Sequence, residues 1–118
     1  MKNRGFVVRL GCALAGLQAA WRKERSFRAQ SGCALAAVIL LLLLRPDPVW
    51  WALTGIMVML VLAAELINTA LEHLADHLHP EQHPNIKLVK DCAAAAVLLL
   101  SFGALWLAVV MVIDYFQQ

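Results

Sequence analysis

Five polar side chains in one stretch of the chain have the types and spacing for chemistry. They are Glu65, Asn68, Thr69, Glu72 and Asp76, within Glu65-Leu-Ile-Asn-Thr-Ala-Leu-Glu-His-Leu-Ala-Asp76. At ~100° per residue, with Glu65 at zero, Glu72 falls near about −20°, Asp76 near about +20°, Asn68 near about −60° and Thr69 near about +40°. Three carboxylates, an amide and a hydroxyl therefore share one helix face. Leu66, Ile67, Ala70, Leu74 and Ala75 hold the other. Such a face can take up a proton, bind a hard cation, or anchor a polar headgroup. Glu65 follows the uncharged run Val49–Ala64, which places it at or just inside a membrane boundary. A carboxylate at that depth is costly and marks a functional site. The plainer reading, a polar helix end leaving the membrane, suits Asp76 well, Glu72 fairly and Glu65 poorly.

A second group, Lys87, Lys90 and Asp91, opens the next apolar segment. Alone it reads as a basic anchor and a first-turn acid suited to the helix dipole. Glu24 is a single acid among Arg22, Lys23, Arg25 and Arg28. His73, His77, His79 and His83 invite a zinc reading, since His73 and His77 lie one helical turn apart. No thiolate joins them, however, and the later two sit in a loop, so they are read as interfacial histidines. There is no Walker A sequence, no GxGxxG and no nucleophile elbow. Cys12, Cys33 and Cys92 have no metal-ligand spacing and read as small apolar fillers.

The elements that must position these groups are legible from hydropathy. The chain has 118 residues, 62% of them apolar, against about half in a soluble domain. The excess lies in Ser31–Leu44, Val49–Ala64 and Cys92–Ile113. The last alone reaches the ~20 apolar residues that span a bilayer. The expected architecture is all-α and one membrane domain, 1–118. It has an amphipathic surface helix over about 6–21 and three transmembrane helices over about 27–45, 49–78 and 87–116. Leu10, Leu14, Leu17 and Trp21 recur at helical spacing in the first helix. That pattern fits a basic helix lying on the membrane as well as a plain lead-in to the first span. Arg45-Pro46-Asp47-Pro48 forces a tight turn, and Trp50 and Trp51 follow at interface level. Ala93–Ala96 offers a small-residue patch for close helix approach.

Seven of the ten Lys and Arg lie in the first 28 residues, among them Lys2, Arg4 and Arg9. Basic residues favour the cytoplasmic side. The expected topology puts the N-terminus and the His-rich loop inside, and the Pro46–Pro48 turn and C-terminus outside. The apolar run starts too far from Met1 to suggest a cleaved signal. The net charge of +2 gives no reason to expect a nucleic-acid partner. These observations leave three functions open: a lipid kinase, a small proton- or cation-coupled transporter, and a structural or regulatory membrane subunit.

Glu65-Leu-Ile-Asn-Thr-Ala-Leu-Glu72 with Asp76, followed by Lys90-Asp91-Cys-Ala-Ala-Ala-Ala-Val97, closely resembles the signature of the prokaryotic diacylglycerol kinase family, which includes undecaprenol kinase. Gly16-Leu17…Ala20-Trp21 and Glu24…Phe27-Arg28 resemble its N-terminal block. The resemblance spans roughly Gly16–Trp106. It implies a homotrimer in the bacterial inner membrane, with active sites shared between protomers at the cytoplasmic interface. It also implies transfer of phosphate from ATP to a lipid hydroxyl. Diacylglycerol is the expected acceptor, giving phosphatidic acid, with undecaprenol as the alternative. By position, Glu65 corresponds to the catalytic base and Asn68 to a site-lining residue. Glu24 and Glu72 correspond to ligands of the Mg²⁺ cofactor on ATP. Arg9, Glu24, Glu72, Asp76, Glu81, His83, Lys90 and Asp91 correspond to nucleotide-binding positions. Cys12 stands where some members carry a tyrosine, and Arg9 aligns only with a small gap.

Overall fold

The computed structural model describes residues 5–118, so Lys2 and Arg4 of the basic N-terminal cluster lie outside the described residues. Four helices follow one another: α1 Phe6–Lys23, α2 Arg25–Leu44, α3 Pro48–Leu78 and α4 Pro84–Gln117. No strand occurs among the described residues. The last three are long and apolar enough to cross a membrane. At 1.5 Å per residue α3 runs for about 46 Å, well beyond the ~30 Å hydrocarbon core. Its acidic C-terminal half therefore reaches the interface.

Each boundary has a local cause. Glu24, in extended conformation, separates α1 from α2, so α1 is a distinct helix and not the first turns of the span. The carbonyls left open at the end of α1 are taken up by Arg28. Its Nη1 donates to Trp21 O at 2.7 Å and to Arg22 O at 3.2 Å. α2 ends on Arg45 in the left-handed region (φ 49°), whose N–H bonds Leu41 O. This is a cap usually left to glycine, and Pro46 then forbids continuation. α3 and α4 both begin on proline, whose missing N–H costs nothing in a first turn. For that reason α4 starts at Pro84, three residues before the first lysine. The His83 imidazole caps it, accepting from the Asn85 N–H at 3.1 Å.

α3 packs chiefly on α4, less on α2, and only lightly on α1. A β-carbon on Gly103 would come within 3.3 Å of Met57 Cε, which shows how closely α4 approaches α3 there. Within the apolar layer, Gln30 Nε2 donates to Ser101 Oγ at 3.0 Å, tying α2 to α4. Trp50 Nε1 donates to Asp114 Oδ2 at 3.3 Å, closing the far end between α3 and α4. The interior of the chain is thin. Ala20, Phe27, Leu41, Thr54, Val61, Glu65, Ala75 and Met111 are the buried positions among the described residues. Phe6, Leu10, Leu14 and Trp21 on α1 are exposed, as are Leu43, Met59, Leu99 and Trp106 on the long helices. In water such a surface would be untenable, whereas lipid solvates it at no cost. Ala94, Ala95 and Ala96 also face outward.

Candidate functional site at the membrane interface

The carboxylates of α3 divide into two environments. Glu65 is buried, with 3% of its surface exposed. Its Oε2 accepts a hydrogen bond from Ser26 Oγ of α2 at 3.0 Å. One turn on, Asn68 Nδ2 donates to Glu72 Oε1 at 3.2 Å. Asn68 Oδ1 is buried with no hydrogen-bond partner. A carbonyl oxygen left that way calls for a donor or a cation. Next along the helix, Glu24 reaches over from the α1–α2 break, and its Oε1 lies 3.2 Å from His73 Nε2.

Farther out, Asp76 accepts from Lys90 Nζ of α4, so the lysine is a cross-helix partner of the acidic stripe. Asp91 pairs with Lys87 on its own helix. Asp76, Glu81, His83, Lys87 and Lys90 line a cavity of about 550 Å³ where α3 turns into α4. The size suits a small-molecule site. Since the His83 Nδ1 is used in capping α4, its Nε2–H is the group left for a ligand. A second cavity of about 550 Å³ lies between α1 and α3. Ala13, Gly16, Leu17, Leu66 and Ala70 line it, with Glu24 and His73 at its polar end.

The structure thus gathers Asp76, Glu81, His83 and Lys90 at one cavity and Glu24 at the other. Glu65, Asn68 and Glu72 stand along the helix that joins them. Arg9 and Asp91 line neither cavity, and Arg9 is exposed on α1. Two contributors were not assigned to the site from sequence. Ser26 gave no signal beyond a hydroxyl in a charged connector. His73 sits at about +80° on the α3 wheel, at the edge of the polar stripe, but a histidine there reads equally well as solvated surface.

Among the described residues no three His, Cys, Asp or Glu are grouped to hold a metal. A Mg²⁺ carried by a nucleotide asks less, namely one or two carboxylates with phosphate oxygens and water. Glu24 and Glu72 fit by donor type, and the unpartnered Asn68 Oδ1 lies beside Glu72.

Apolar helices with carboxylates graded from dry to wet along one face define an integral membrane protein with an acidic interfacial site. The family profile described as prokaryotic diacylglycerol kinase matches residues 11–112. A diacylglycerol kinase of Escherichia coli K12 is 36% identical over 89 residues, covering 75% of this chain and 73% of that protein. One from Helicobacter pylori is 37% identical over 84 residues, or 71% and 66% of the two chains. An undecaprenol kinase of Bacillus subtilis is 34% identical over 76 residues, or 64% and 62%. The chain belongs to the prokaryotic diacylglycerol kinase family, as its stripe and Lys90-Asp91 pair implied, and it is a membrane enzyme of the lipid kinase class.

Proposed function

We propose that this chain transfers the γ-phosphoryl group of Mg-ATP to the hydroxyl of diacylglycerol, giving phosphatidic acid and ADP. The observation that carries this reading is the position of Glu65. It is a buried carboxylate at headgroup depth, on the same helix face as acids that reach a lysine-bearing cavity. A lipid hydroxyl arrives from the membrane and a nucleotide from water, and this face meets both.

In that reaction the lipid oxygen bonds to the γ-phosphorus while the bond from phosphorus to the β,γ-bridging oxygen breaks. The hydroxyl proton passes to the Glu65 carboxylate. Phosphoryl transfer needs mainly positioning and charge stabilisation. Lys90 offsets phosphate charge from the cavity rim, and His83 Nε2–H offers a donor. Glu24 and Glu72 would hold Mg²⁺, which neutralises phosphate charge when bound. The outward apolar faces and the small patch Ala94–Ala96 support assembly as a homotrimer, with neighbouring protomers completing each site. The basic residues clustered before α2 support a cytoplasmic N-terminus and site in the bacterial inner membrane.

The similarity to an undecaprenol kinase favours a second acceptor of the same class. Both lipids present a primary hydroxyl, and side chains such as Val38, Leu41, Leu53 and Leu60 carry no code for the tail. The test is a side-by-side assay in detergent micelles with Mg-ATP and either lipid. Preferential phosphorylation of diacylglycerol is expected. Preference for undecaprenol reassigns the acceptor. No product with either, from folded protein, overturns the reading.

A further inference from the structure

Ser26 is the second residue of α2, two positions past the break at Glu24. A hydroxyl there has two ordinary uses. It can cap its own helix, but the start of α2 has no side-chain cap. It can bond back to the carbonyl four residues earlier, as Ser31 does to Phe27 O at 2.8 Å. Ser26 does neither, and reaches across to α3 to donate to Glu65 Oε2 at 3.0 Å.

The acceptor is as unusual as the donor. Glu65 is the one buried charged residue among those described, and no lysine, arginine or histidine among them pairs with it. Ser26 Oγ is also the only side-chain hydrogen bond it receives there. The residue carrying the hydroxyl is exposed while the carboxylate is buried, so the bond fixes the outer side of the group.

We infer that Ser26 is the positioning residue for Glu65: its hydroxyl holds Oε2, which sets the carboxylate rotamer and presents Oε1 to the acceptor hydroxyl. The inference rests on the reading of Glu65 as base. A buried carboxylate without a cation depends on a hydrogen-bond donor to hold its place. The Ser26 hydroxyl is engaged with Glu65 Oε2, so its loss is expected to fall on turnover and not on nucleotide affinity.

The experiment compares Ser26→Ala, Ser26→Thr and Glu65→Gln in the full-length enzyme in micelles, with rates per amount of folded protein. Ser26→Ala is expected to lower kcat about 10- to 100-fold, the range for a lost hydrogen bond to a charged group, with KM for Mg-ATP unchanged. Ser26→Thr, which keeps the hydroxyl, is expected to stay within a few-fold of wild type. Wild-type kcat in Ser26→Ala, or an equal loss in Ser26→Thr, overturns the inference. Wild-type kcat in Glu65→Gln overturns the base assignment itself, so the two failures are distinguishable. Should Ser26→Ala not fold, Ser26→Cys, close in shape but a weak donor, is compared in its place against the same two outcomes.

Discussion

The two ends of the acidic face of α3 solve one problem in opposite ways. At the membrane end Glu65 is sealed from solvent and faces a neutral hydroxyl, and Glu72 faces a neutral amide. At the water end Asp76, with 62% of its side chain exposed, faces the ammonium of Lys90. A carboxylate in a dry setting that meets only neutral donors has no cation to hold it away from a substrate hydroxyl. An exposed ion pair is a ready exchanger, since an arriving phosphate competes for the lysine. On the proposed reading the same residue type would serve chemistry at one end and charge handling at the other, with the local dielectric deciding which.

The largest test of this contrast is Glu65→Gln. It should lower kcat by about 10²- to 10⁴-fold, the usual worth of a general base, while nucleotide binding measured by equilibrium titration stays as in wild type. Equal loss of binding would erase the difference between the two ends. Next comes Glu72→Ala, with Glu24→Ala beside it. Each should raise the Mg²⁺ and ATP concentrations needed for half-maximal rate by about tenfold or more, the cost of a lost charge-assisted contact. Lys90→Ala should raise KM for ATP by about tenfold with a smaller change in kcat. Its effect should shrink at high salt, because exposed charges are screened within ~10 Å at 0.1 M. A salt-independent loss would place Lys90 in the dry half. The smallest effect belongs to His73→Ala, expected to raise the Mg²⁺ requirement only a few-fold, because His73 is exposed and orients Glu24 through one bond. Initial rates across a Mg²⁺ titration measure it.

The stripe itself was legible in the sequence because helical periodicity is a one-dimensional property. Glu65, Asn68, Glu72 and Asp76 fall on one face whatever surrounds them. The three spans were legible for a similar reason, since a bilayer imposes a length and a composition. The start of the last helix was not. Lysines mark where charge begins, whereas the helix begins where Pro84 and the His83 cap allow it. The cross-helix partners were also hidden. Ser26–Glu65, Glu24–His73, Gln30–Ser101 and Lys90–Asp76 each join segments 14 or more residues apart, and no periodicity encodes which turn of one helix meets which turn of another. Glu24 lay between these cases. Its oddity among bases was visible, but its place at a break between two helices was not.

That break has a mechanical consequence. α1 is an arm of 18 residues, about 27 Å long, joined to the bundle at a single extended residue and touching little else. Were such an arm to rock with the bilayer surface, its free end near Phe6 would sweep the greatest distance and the fulcrum almost none. Glu24 is the fulcrum. The carboxylate proposed to hold Mg²⁺ from outside α3 would sit at the point of its segment that surface undulation displaces least.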